Sequence, residues 1–200
     1  MSSMNERQAL RRQLREQRAQ LSPAWCEQTS RAICEQVTRS WAYRRARRIA
    51  MYFANGNEVS LDHLIEHAWA NGKQVYLPVL GLRFTGQLWF VPYAPDSPLY
   101  ANRFGIPEPQ HNAHERRTGL RELDLILMPL VGFDDHGNRL GMGGGFYDKS
   151  LHTLHSGKRI WSRPKRIGIA YAMQRVARIP GEDWDVPLDG IATEQGLAWF

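Results

Sequence analysis

Cysteine is scarce in this chain, with two thiols among 200 residues. Cys26 and Cys34 fall in one expected helix. At about 1.5 Å of rise per residue they lie too far apart along its axis to form a disulfide. Neither belongs to a metal-binding or redox spacing, so both read as ordinary thiols. Long apolar runs are missing as well. The longest, 125–133, is far too short to cross a bilayer. The N-terminus is polar and arginine-rich and lacks the apolar core of a secretory signal. There is no internal repeat, no low-complexity segment and no recognised nucleic-acid-binding module. These absences predict a cytoplasmic protein with neither a membrane nor a nucleic acid as partner.

Hydrophobic residues make up 42% of the chain and charged residues 23%, a balance that lets it bury a substantial core. The length suits one domain over 1–200, with helices in the first 45 residues packing on the remainder. The net charge of +6 favours anionic partners, among them nucleotide phosphates and polycarboxylates.

A basic helix is expected over 5–20. Arg7, Arg11, Arg15 and Arg18 recur at spacings of three and four and form one stripe beside Leu10, Leu14 and Leu21. Such a stripe is either a solvated charged face or a face turned to phosphates. Ser22-Pro23 opens a second helix, as cap and first helical residue. Trp25, Ile33 and Val37 mark its buried face, and 44–48 is a basic connector. Strands are expected at 49–53, 75–79, 87–91, 123–131, 166–170 and 190–193. A helix over 61–71, capped by Ser60 and stopped by Gly72, separates the first two. That unit implies parallel pairing with a right-handed crossover. His63 and His67 lie opposite the apolar face of this helix, which makes them a solvated pair rather than metal ligands. A polar, proline-rich loop covers 92–117. Within it Phe104-Gly105-Ile106-Pro107-Glu108-Pro109 is stiff and partly apolar, and loops of this length are often functional.

The most informative stretch is Gly137-Asn138-Arg139-Leu140-Gly141-Met142-Gly143-Gly144-Gly145-Phe146-Tyr147-Asp148. Glycines permit positive φ and close approach of the backbone to a ligand, and successive inward amides make an anion-binding nest. A helix expected over 148–155 adds partial positive charge from its N-terminus. Phosphate is the natural guest, and Asp148 is placed to hold the Mg²⁺ that accompanies a nucleotide. The stretch matches neither the Walker loop nor the dinucleotide fingerprint.

This stretch closely resembles the glycine-rich motif of the 5-formyltetrahydrofolate cyclo-ligase family, also called methenyltetrahydrofolate synthetase. The lead-in Met128-Pro129-Leu130-Val131-Gly132-Phe133-Asp134 is similar to that family's, as are Asn57-Glu58, Gly105-Ile106-Pro107-Glu108-Pro109 and Asp185-Val186-Pro187-Leu188-Asp189. The landmarks occur in the family's order across nearly the whole chain. The resemblance implies a three-layer α/β/α sandwich with a mostly parallel sheet and an N-terminal basic helix. It implies ATP- and Mg²⁺-dependent cyclisation of 5-formyltetrahydrofolate to 5,10-methenyltetrahydrofolate, releasing ADP and phosphate through a phosphorylated formyl (iminium phosphate) intermediate. By the family pattern ATP contacts Arg7, Arg11, Arg139, Leu140, Gly141, Met142, Gly143, Gly144, Gly145, Phe146 and Tyr147. Folate contacts Phe53, Glu58, Phe146 and Tyr147, Mg²⁺ is held by Asp148 and Asp189, and Arg139 and Tyr147 are the catalytic candidates. The implied partners are ATP and 5-formyltetrahydrofolate, including its polyglutamylated forms, acting on a monomer. Two positions depart from the pattern. Arg7 stands where a lysine is usual, and Gly144 where some members carry a lysine.

Overall fold

Leu125, Ile126, Leu127 and Met128 are apolar in succession because the strand they form is buried on both faces. Leu125 and Leu127 join one core with Ile49, Leu77, Ile167 and Ala192, while Ile126 and Met128 join another with Ala50, Tyr76 and Ile191. That alternation fixes a sheet between two layers. The computed structural model describes residues 3–80, 86–102, 105–110, 118–155 and 164–200. Phe104 and the 111–117 part of the expected loop lie outside the described residues.

The central sheet combines β1 (Arg48–Ala50), β2 (Gln74–Leu80), β3 (Leu88–Tyr93), β6 (Leu125–Pro129), β9 (Lys165–Ile169), β10 (Gly190–Thr193) and β11 (Gly196–Trp199) in the order β11-β10-β9-β6-β1-β2-β3. The five inner strands are parallel, and β3 and β11 close the edges antiparallel. Three helices, α2 (Pro23–Arg39), α3 (Trp41–Arg45) and α4 (Asp62–Ala70), cover one face through Ile33, Val37, Tyr43, Leu64 and Ala68. Leu151 of α5 (Phe146–His155) packs into the core on the other. The result is an α/β/α sandwich with a mostly parallel sheet. Helix α1 (Ser3–Ala19) packs elsewhere: Leu14 joins Val131, Leu140 and Ile179 beside the small hairpin of β7 (Gly132–Phe133) and β8 (Arg139–Leu140).

Several expectations shift. The 123–131 strand stops at Pro129 and gives way to the β7–β8 hairpin, whose turn is held by Asp134 accepting from the backbone N–H of His136 and Asn138. Helix α5 starts at Phe146, two residues before the expected 148. Part of the basic connector folds as α3, capped by Ser40, whose hydroxyl accepts from Tyr43 N–H. The N-cap of α4 is Leu61 rather than the expected Ser60, whose hydroxyl, one residue earlier, accepts from Asp62 N–H. Trp25 is 37% exposed and rests against Tyr171, with ring centroids 5.0 Å apart, instead of entering the core with Ile33 and Val37. His63 turns to Glu27 and His67 to the Tyr43 hydroxyl, so both are partnered on the helical layer.

Two prolines show which side of β2 is turned to β1. In the β2–β3 pair, Tyr76 faces Pro92 and Pro78 faces Phe90. These are non-hydrogen-bonded pairs, the only rungs that tolerate a missing N–H. The N–H side of even-numbered β2 residues therefore faces β1. But β1 pairs no further than Ala50 with Tyr76, and its last rung is Met51 N–H to Tyr76 O. Past that point no described strand pairs with β2 on that side.

Candidate active site

A cavity of about 410 Å³ opens in this gap, at the C-terminal ends of β1, β2 and β6, where parallel α/β sheets bind their ligands. Its walls come from four places: Tyr52 and Phe53 after β1, Leu77, Pro78 and Leu80 of β2, Ile106, Pro107 and Glu108 beside the hairpin of β4 (Leu99–Ala101) and β5 (Pro107–Pro109), and the glycine loop with the first turn of α5. The β2 side and the 106–108 segment make an apolar slot. The glycine loop makes a polar end.

At that polar end Gly143 and Gly145 have φ of +105° and +64°, values that side-chain-bearing residues rarely adopt. Gly144 is glycine for a different reason. A Cβ there would stand 2.6 Å from the Phe146 ring, so any side chain at 144 requires that ring to shift. Arg139 is 6% exposed. Its guanidinium donates to Val186 O and, at 2.5 Å, to Asp148 Oδ1. Burial pulls the guanidinium below its ordinary pKa, and the carboxylates of Asp148 and Asp185 pull it back. Asp148 Oδ1 also accepts from Val186 N–H at 3.3 Å. Arg139, Gly141, Met142, Gly144, Gly145, Phe146, Tyr147 and Asp148 all line the cavity. Leu140 is instead buried in β8, and Gly143 sits outside the lining, facing Arg11.

At the other end stands Glu58, its side chain only 8% exposed. Its Oε2 accepts from Asn55 N–H at 3.1 Å, and Arg18 lies 3.8 Å from Oε1. Burial raises its pKa above the ordinary carboxylate range, against the Asn55 N–H and the Arg18 charge. Phe53 meets Tyr93 edge-on with ring centroids 5.3 Å apart. The Tyr147 hydroxyl is buried and has no hydrogen-bond partner among the described residues. Burial, with Glu58 nearby, drives its pKa upward, so it stays a neutral phenol with a proton to donate.

The arginine stripe divides. Arg7 and Arg18 are buried, Arg11 is half-buried and Arg15 is exposed, so the inward face runs 7-11-14-18. The solvated reading holds only for Arg15. Arg11 Nε donates to Gly141 O at 2.8 Å and so pins the start of the glycine loop. Arg7 grips Asp185 with both nitrogens, at 2.5 and 3.3 Å, and donates to Pro180 O at 2.8 Å. Its guanidinium is committed there and does not line the cavity.

Asp189 is not brought to Asp148. It precedes β10 at the opposite, N-terminal edge of the parallel strands, where it accepts from Arg166 N–H, the Arg166 guanidinium and Lys165. Those donors hold its carboxyl below the ordinary range despite burial. The acidic neighbour of the Arg139–Asp148 pair is Asp185, at the other end of the same five-residue motif. The resemblance points to Asp189, and nothing in the sequence says which end of the sheet each aspartate meets.

The model of the 5-formyltetrahydrofolate cyclo-ligase family matches residues 3–194. The chain belongs to that family. It is 40% identical to the 5-formyltetrahydrofolate cyclo-ligase of Haemophilus influenzae over 92% of this chain and 95% of that one. It is 38% identical to the enzyme of the same name from Escherichia coli K12, over 90% and 96%. Among solved structures it resembles the 5,10-methenyltetrahydrofolate synthetase of Aquifex aeolicus with a TM-score of 0.79 and 26% identity, covering 96% and 92% of the two chains.

The resemblance implies a nucleotide with its divalent cation, and the residues fit one. The described residues hold no cluster of three His, Cys, Asp or Glu side chains able to cage a metal. A Mg²⁺ carried in on nucleotide phosphates needs no cage, only one or two carboxylates. Asp148 supplies one beside the loop, where Arg139 and Val186 N–H both donate to its Oδ1.

Proposed function

We propose that the chain cyclises 5-formyltetrahydrofolate to 5,10-methenyltetrahydrofolate at the expense of MgATP. The observation that carries this reading is that one cavity joins an apolar slot to a glycine loop at a helix N-terminus. A flat heterocycle and a triphosphate would therefore meet inside it.

The formyl oxygen attacks the γ-phosphorus and ADP leaves. The neighbouring folate nitrogen then attacks the formyl carbon, and phosphate leaves with the oxygen. An amide oxygen is a poor nucleophile, so alignment and charge neutralisation carry the rate. Arg139, fixed by Asp148 and Val186, supplies a charge that does not have to reorient as phosphate charge develops. Mg²⁺ bound through Asp148 would neutralise the phosphates. The Tyr147 hydroxyl, buried without a partner among the described residues, donates to an acceptor on the bound substrate. Glu58 accepts from the ring amino groups of the pterin, and Phe53 packs against it. Arg11 holds the loop, and Arg7 acts on ATP through Asp185. The wall around Phe53, Ile106 and Pro107 keeps water from the phosphorylated intermediate. The same reading makes the protein a cytoplasmic monomer that accepts polyglutamylated folates.

The test is the methenyl chromophore. Purified protein with 5-formyltetrahydrofolate, ATP and Mg²⁺ should produce it, and omission of any one should abolish it. ATP hydrolysis without methenyl product would mean a different acceptor.

A further inference from the structure

Leu80 ends β2 with its N–H facing the gap that β1 leaves, and Glu108 fills that position. Glu108 Oε1 accepts from Leu80 N–H at 3.3 Å and from Asn102 Nδ2 at 2.7 Å. Glu108 is 5% exposed, and no described cation pairs with it. Asn102 in turn closes the β4–β5 connection on itself: its Oδ1 accepts from Ile106 N–H, and its carbonyl accepts from Gly105 N–H. A single carboxylate oxygen thus ties a two-stranded hairpin with no place in the main sheet to the last residue of β2. Ile106 and Pro107, which carry no side-chain hydrogen bond of their own to β2, are set in the cavity wall by this tie.

We infer that Glu108 is a positioning residue for the folate half of the site. It latches the 99–109 hairpin to the open end of β2 and so fixes the width of the apolar slot. The nucleotide end is built from other elements, the glycine loop and α1, and does not depend on the latch. What the slot accepts rests on the cyclisation reading. That the latch exists does not.

The latch uses one acceptor oxygen, so a glutamine amide oxygen can replace it and alanine cannot. Glu108→Ala should raise the KM for 5-formyltetrahydrofolate at least roughly tenfold, as expected for a displaced wall, with the KM for ATP unchanged. Glu108→Gln should restore the folate KM to near wild type. Amide exchange at Leu80 should accelerate in Glu108→Ala and stay protected in Glu108→Gln. An unchanged folate KM in Glu108→Ala, or an equal rise in both KM values, overturns the proposal, as does unaltered Leu80 exchange. If Glu108→Ala does not fold, Asn102→Ala removes one of the two donors. It should give a smaller folate-specific rise, and no rise there also overturns the proposal. A wild-type protein that makes no methenyl product refutes the cyclisation reading instead, while Leu80 exchange still reports on the latch.

Discussion

Arg139 Nη2 and Asp148 Oδ1 meet at 2.5 Å across the glycine loop, joining β8 to the first turn of α5. The pair closes the loop from both ends and leaves the loop's interior to a ligand. A lysine at 139 keeps the charge but cannot reach Val186 O and Asp148 together, because its ammonium is a point donor and not a fork. Arg139→Lys should therefore lower kcat by about 10²- to 10³-fold. If the arginine also orients a metal-holding carboxylate, the Mg²⁺ concentration for half-maximal rate should rise by about 10- to 100-fold. Steady-state rates across a Mg²⁺ titration check both, and an unchanged kcat would reduce Arg139 to a loop fastener.

Tyr147 offers a test in which stability and activity move apart. Its buried hydroxyl has no partner among the described residues, and an unpaired buried hydroxyl costs about 1–3 kcal/mol. Tyr147→Phe removes the hydroxyl and keeps the ring. Thermal melting should show Tm unchanged or raised, while kcat/KM for 5-formyltetrahydrofolate falls. A fall in both would mean that the hydroxyl has a structural partner after all.

Glu58 should show itself through pH. Its folded-state pKa is raised by burial above the ordinary carboxylate value of about 4.3. The folded protein thus holds the proton more tightly than the unfolded chain. That contribution to stability is complete below the ordinary value and is lost as pH rises through the folded pKa. Glu58→Gln removes the penalty, so its Tm should exceed wild type at pH 7, with the margin shrinking as the pH is lowered toward 4. Folate binding should weaken throughout. A pH-independent Tm difference between the two proteins would refute the assignment.

Arg7 and Asp185 form a fork-on-carboxylate pair that anchors the start of α1, four residues before Arg11 pins the glycine loop. Arg7→Ala and Asp185→Asn should each raise the KM for ATP. The double variant should raise it little further, because either change frees the same helix. Strict additivity of the two effects would mean that Arg7 contacts the nucleotide independently.

Much of this was legible before any coordinates, and what escaped did so for physical reasons. The strands at β1, β2, β6, β9 and β10 announce themselves as short apolar runs bounded by turns. Gly137 to Asp148 carries its chemistry in composition alone. Two elements do not: α3 is too short for helical periodicity, and β11 follows β10 as a hairpin whose outer face is half exposed. Arginine spacing correctly put Arg7, Arg11 and Arg18 on one face but drew in Arg15. Positions 14 and 15 both fit a three-or-four step from 11, and only the packing of Leu14 against Val131 and Leu140 decides between them. Asp185 and Asp189 could not be told apart by pattern, since the choice depends on which end of the sheet each one meets. Glu108 was visible as part of a motif, but its role lies in partners 6 and 28 positions away in the chain.

The binding space is made by where β1 ends, not by residues carved out of a finished sheet. One proline, Pro78, which has no N–H to leave unpaired, and one carboxylate make that ending tolerable for the neighbouring backbone. A relative in which the first strand ran two residues further would lose its substrate slot with every side chain that touches ligand intact. Strand length is therefore a separate means by which this architecture could change what it accepts.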